Sequence, residues 1–146
     1  MNPRAHPEQS ITGWEALMDE EQRKMGINPK DIAGSKKTPF GMMPLGILAI
    51  VGKAFAAGAR KYGVMNWREK GKAVQRVSYL EAAIRHIVAD LEGETIDPES
   101  GDDRVPHIAA AIAGLMIVLD ATACGNVVDN RPTKGMGAEL MRLYGK

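Results

Sequence analysis

The sequence predicts an all-α fold: a small helical bundle of three main helices plus short terminal helices, completed by oligomerisation. Three observations carry that prediction. Aromatic residues make up only 5% of the 146, and Met and Gly are plentiful, a composition that suits packed helices better than a sheet sandwich. Apolar residues recur at helical spacing in three separate stretches. A three-helix unit this small also keeps a flat apolar surface, which a second copy can cover.

Each element can be justified in order. Residues 1 to about 12, with Pro3 and Pro7 among polar neighbours, read as a disordered arm. "TGWEALMDEEQRKM" reads as a short amphipathic helix with Trp14, Leu17 and Met18 on one side. "GINPKDIAGSKKTPFGMMP" reads as a loop punctuated by Gly and Pro. The first main helix runs from about Pro44 to Arg60, with Leu45, Leu48, Val51 and Phe55 as its stripe. The second runs from about Val77 to Leu91, with Val77, Leu80, Ile84, Ile87 and Leu91 as its apolar face. Tyr79, His86 and Asp90 fall on the opposite side, and Gly93 stops the helix. Pro106 opens the third, which continues to about Ala123 and is apolar nearly all round, so it should be central. Its Ala109, Ala110, Ala113 and Gly114 should let neighbouring backbones approach closely. The tail ends in one more helix, Ala138 to Tyr144.

Composition removes several function classes. A net charge of +1 gives no bulk attraction to nucleic acid or to an anionic membrane. The longest apolar stretch, "IAAAIAGLMIVL", falls well short of the roughly 20 residues a membrane span needs. The single cysteine, Cys124, excludes an internal disulfide, and with no signal peptide at the N-terminus the expected setting is the cytoplasm.

Two stretches hold the residue types that chemistry needs. His86 and Asp90 are neighbours four apart on one helical face, a spacing that suits two ligands of one cation or a plain helical pair. The loop "GETIDPESGDDRVPH" adds Glu94, Asp97 and Glu99, and a helix hairpin would return His107 toward Asp90. Crowded carboxylates repel unless a cation neutralises them or water solvates them. With imidazoles beside them they point to Mg²⁺ or Mn²⁺, with Fe²⁺ or Zn²⁺ as further choices; a solvated acidic face is the plain alternative.

The loop around "KYGVMNWREKGK" has the opposite sign. Arg60, Lys61, Arg68, Lys70, Lys72 and Arg76 surround Tyr62 and Trp67. Cations for phosphate beside an aromatic for a base make a nucleotide site, and Asn66 could read a base edge or a sugar hydroxyl. Arg85 flanks His86 and could clamp a phosphate. The alternative is a basic loop with Trp67 tucked into the core. No phosphate-binding glycine loop and no nucleophile elbow is present, so covalent catalysis has no support.

The stretches "KKTPFGMMP", "GARKYGVMNWR", "AAIRHIVADLEGETIDPESG" and "PHIAAAIAGLMIVL", in that order, resemble a phage-encoded family, the dATP/dGTP diphosphohydrolase N-terminal domain. The resemblance runs from about Lys36 to Leu119. It implies a helical domain and metal-dependent hydrolysis of purine deoxynucleoside triphosphates to monophosphate and pyrophosphate. On that reading Lys37, Lys61, Tyr62, Asn66, Trp67 and Arg85 bind nucleotide. His86, Glu94, Asp97 and His107 hold Mg²⁺ or Mn²⁺, with Asp90 added as a ligand on helix geometry alone, and Glu94 and Asp97 are the catalytic carboxylates. Two departures stand out. All-α pyrophosphatases hold Mg²⁺ with E-x-x-E and E-x-x-D helices, but here no E-x-x-E occurs and Glu94 to Asp97 lies in a loop. Ala111 stands where a second histidine often follows that of His107. A non-catalytic nucleotide-binding protein, a phage sponge for a nucleotide signal, is therefore the alternative. The expected organisation is an arm over 1–35, a helical nucleotide- and metal-binding domain over 36–123, and a tail over 124–146.

Overall fold

A computed structural model describes residue 20, residues 25–132 and residues 135–145. The expected helix over Trp14 to Met18 lies outside the described residues. The chain divides into two compact units, residues 1–45 and 46–146.

In the first unit, α1 spans Pro29–Ser35 where the sequence suggests loop. The reason is local. Asn28 caps the helix by accepting a hydrogen bond from the Lys30 amide at 2.9 Å, Pro29 occupies the first turn, and Asp31 complements the helix dipole there. These start signals outweigh Gly34. A 3₁₀ turn follows at Phe40–Met42.

The second unit holds the three main helices. A 3₁₀ turn at Leu45–Ile47 precedes α2, Leu48–Tyr62, so regular helix begins a turn later than Pro44 suggests. Arg60 and Lys61 in its last turn suit the negative end of the dipole. A 3₁₀ turn covers Asn66–Arg68. Then β1 (Val74–Gln75) leads directly into α3, Arg76–Leu91. The acidic loop carries a 3₁₀ segment, Pro98–Asp103, before α4, His107–Ala123, with Pro106 at its cap in an extended conformation. β2 (Val127–Val128) pairs parallel with β1, Val74 against Val127, and α5 spans Gly137–Tyr144. The strand pair is too short to carry a period-2 signal, which is why an all-helical reading passes over it.

α4 is central, as its all-round apolarity predicts: it packs against both α2 and α3. Val74, Val118 and Ala121 form the core cluster, with Trp67, Tyr79, Ile117 and Val127 packed around it. α3 departs from expectation. Its buried residue is Ala83, with Tyr79 and His86 half-buried, while Ile84, Ile87, Val88 and Leu91 are exposed. Val77 and Leu80 of the expected apolar face are half-buried, so it is the C-terminal part of that face, from Ile84 on, that is turned out. No helix among the described residues is long and apolar enough to cross a membrane.

Candidate functional site

The acidic loop is a built structure rather than a solvated tether. Ile96 and Pro106 form an antiparallel bridge across its neck. The Asp97 amide donates to the Val105 carbonyl at 2.9 Å, and the His107 amide donates to the Thr95 carbonyl at 3.0 Å. The Ser100 hydroxyl donates to the Asp97 carbonyl at 2.5 Å and accepts from the Val105 amide at 2.9 Å. Asp97 caps the 3₁₀ segment, one carboxylate oxygen accepting from the Glu99 amide at 2.9 Å. Gly101 sits at φ 54°, ψ −132°, a conformation essentially restricted to glycine. Asp103 is paired with Arg60 of α2. The loop's acids thus have assigned positions, and Asp97 faces the helices.

What it faces is a pair of histidines. His86 Nδ1 lies 2.8 Å from His107 Nδ1, and His107 Nε2 lies 2.9 Å from Glu94 Oε1. His107 is only 5% exposed. In the tautomer that directs the His107 Nε2 proton at Glu94, Nδ1 of His107 is left to accept from His86 Nδ1–H. Burial pushes the His86 imidazole below its ordinary pKa, with His107 and Arg85 acting the same way against the pull of Asp97 and Glu99. His86, Asp97 and His107 each offer a ligand atom, all within 4.8 Å of one another, so the group could hold a metal ion. Of the five expected ligands the fold brings these three together. Glu94 stands behind His107, the position of a carboxylate that orients a histidine ligand. Asp90 is not part of the group.

The same three helices enclose a cavity of about 350 Å³. Its floor is made of small residues: Ala54, Gly58, Ala82, Ala110, Ala113 and Gly114. The expectation that Gly114 admits a neighbouring backbone needs correction. A Cβ built on Gly114, or on Gly58, would meet nothing within 4 Å, so these two glycines open space. Tyr62, Asn66, Trp67, Ser78, Tyr79 and His86 line the cavity as well. His86 therefore belongs both to the cavity and to the metal-capable group.

The expected nucleotide residues separate into two sets. Tyr62, Asn66 and Trp67 line the cavity, whereas Lys61 and Arg85 are exposed and are not among its lining residues. Lys37 is exposed in the first unit. Trp67 also serves the core. Its indole N–H donates to Asp120 at 2.6 Å, and its ring lies 5.9 Å from that of Phe55. Arg68 donates to both oxygens of Asp120, at 2.7 and 2.6 Å, and together with Trp67 holds that carboxyl at about 2. Asn126 clamps the backbone by donating to the carbonyls of Trp67 and Glu69.

Sequence reasoning missed Ser78 and Tyr79. Among the described residues the side chains of Tyr62, Asn66, Ser78 and Tyr79 have no hydrogen-bond partner. Burial raises the Tyr79 phenol above its ordinary pKa, and Tyr62 adds to the effect. The available signal was helical spacing: Tyr79 lies seven residues before His86, two turns along the same face.

The domain is mostly helical, and a mostly apolar cavity adjoins a histidine–carboxylate group that could hold a metal ion, the combination of a concave apolar pocket and a few polar groups that small-molecule sites share. The chain belongs to the dATP/dGTP diphosphohydrolase, N-terminal, family, whose model matches residues 27–131. No curated protein and no solved structure matches it.

Proposed function

We propose that this protein hydrolyses purine deoxynucleoside triphosphates, dATP and dGTP, to monophosphate and pyrophosphate with a divalent cation, Mg²⁺ or Mn²⁺. The observation that carries the reading is that His86 is shared: it lines the cavity and belongs to the group that could hold the cation. The family's name supports the substrate class.

The residues fit a cation with a small adjustment. At 2.8 Å the two Nδ1 atoms share a hydrogen bond, and two ligands at about 2.1 Å from one ion stand roughly 3.0–3.4 Å apart. The rings must open by a few tenths of an ångström. With its Nε2 proton directed at Glu94, His107 offers a bare Nδ1 to the cation, and His86 offers its own when its proton is on Nε2. Bound there, a cation supplies charge neutralisation at the phosphates and activation of water.

The chain's own residues do the rest. Trp67 and Tyr62 hold the base in the cavity, and Asn66, Ser78 and Tyr79 offer hydrogen bonds to its polar edge or to the sugar. Glu94 keeps His107 oriented by accepting from its Nε2–H. Asp97, the carboxylate within the group, takes the proton of the attacking water. Arg85 and Lys61 neutralise phosphate charge. The domain works as a homo-oligomer, in the host cytoplasm if phage-encoded.

A second reading is favoured by one observation: the cations that a phosphoryl-transfer site needs do not line the cavity. On that reading the protein binds a nucleotide or nucleotide-derived signal without turnover.

The test is to incubate the protein with each dNTP and NTP, with Mg²⁺ or Mn²⁺, and to separate products by ion-exchange chromatography. Monophosphate and pyrophosphate, lost on adding EDTA, are expected. Intact nucleotides across the panel would overturn the hydrolase, and calorimetric binding that survives EDTA would then establish the binder.

A further inference from the structure

The outward apolar face of α3 is continuous in character with one on α4. Ile84, Val88 and Leu91 of α3 and Ile108, Leu115 and Leu119 of α4 are all exposed, Leu91 at 80% and Leu119 at 72%. At 100° per residue each set lies on the side of its helix directly away from the residues that line the cavity. The two helices pack against each other, so the two stripes flank one shallow groove. The sequence between the stripe positions contributes Ile87 and Ile112 to the same sides and no charge.

We propose that this α3–α4 face is the interface between two copies of the chain, closing a four-helix bundle about a two-fold axis. Two features select a second copy over a different partner. A helix pair with matching stripes is self-complementary under two-fold rotation, since each copy offers the ridge and the groove that the other needs. The exposed parts of these side chains amount to on the order of 600 Å² per copy, close to the roughly 800 Å² per partner of a stable interface. None of the stripe residues is among those that line the cavity. None of this rests on the nucleotide reading.

Light scattering after size exclusion tests it. The full chain should run at twice its 15.8 kDa. Leu91→Glu and Leu119→Glu should each run at the single-chain mass with an unchanged helical circular-dichroism signal, because both side chains project away from their own chain's core. In parallel, the wild-type melting temperature should rise with protein concentration, a readout that holds even if a variant misfolds. A single-chain mass at ~100 μM with a concentration-independent melting temperature would overturn the proposal. So would a mass above two copies, or a dimer that persists in both variants.

Discussion

Gly114 offers the sharpest separation of cavity from core. It sits mid-way along α4, lines the cavity, and has nothing within 4 Å of an added Cβ. Replacing it with Ala should therefore cost no contact and recover the conformational entropy that glycine loses in a helix. That is worth about 0.5–1 kcal/mol. For a domain of about 100 residues, 1 kcal/mol moves the melting temperature by about 4–8 °C, so a rise of about 3–6 °C is expected. Gly114→Leu keeps the helical gain but extends a side chain of four carbons into the cavity. If each carbon takes about the share of a water, roughly 30 Å³, it fills about a third of the space. Nucleotide affinity should fall at least tenfold while the fold stays intact. Thermal unfolding and calorimetry with dATP and Mg²⁺ read the two effects separately. A destabilised Gly114→Ala would mean that the glycine admits a close neighbour after all. Unchanged dATP binding by a folded Gly114→Leu would remove the cavity from the site.

Three further outcomes are expected. Asp97→Asn keeps the cap on the Glu99 amide but loses the proton acceptor, so dATP turnover should vanish with the helical signal unchanged; retained turnover would sink the assignment. Tyr79→Phe removes a hydroxyl that no described residue uses, so thermal stability should hold while affinity for dATP drops about tenfold, the worth of one hydrogen bond; a loss of stability with unaltered affinity would make the hydroxyl structural. Asp120 is depressed to about 2 from 3.8 by Arg68 and Trp67, so its contribution is complete above about pH 4 and is lost as pH falls through 2. The wild type should accordingly melt higher than Asp120→Asn at pH 6, and the gap should close between pH 4 and pH 2; a gap that stays constant across that range would exclude the ion pair as its source.

The helices were legible because burial imprints a period. α3 and α4 begin and end within a residue of where periodicity, Pro106 and Gly93 put them. α1 was missed because its signal is a cap, Asn28 with Pro29 and Asp31, and not a stripe. For the site, spacing and charge singled out His86, Asp97 and His107, which the fold brings together. They did not separate Glu94, which orients, from Asp97, which joins the group, because one turn of loop decides which carboxylate faces the histidines. The cavity was illegible for a different reason. Small residues read equally well as tight packing or as empty space, and only the placement of α2 and α3 around α4 distinguishes the two.

The inverted face of α3 joins these points. An amphipathic pattern says that a helix has two sides, but not which side meets its own chain. Ordinary burial would have put Ile84, Ile87 and Leu91 against α4 and left His86 in water, where its pKa would not be depressed and it would line no cavity. Turning the polar side inward leaves Ile84, Ile87 and Leu91 exposed. With the proposed second copy covering them, charge introduced at Leu91 should loosen the histidine pair as well as the dimer. Proton NMR of the imidazoles in Leu91→Glu reads this directly: a His86 titration moved up toward its ordinary value is expected, and an unshifted one would show that the inner face stands without the outer.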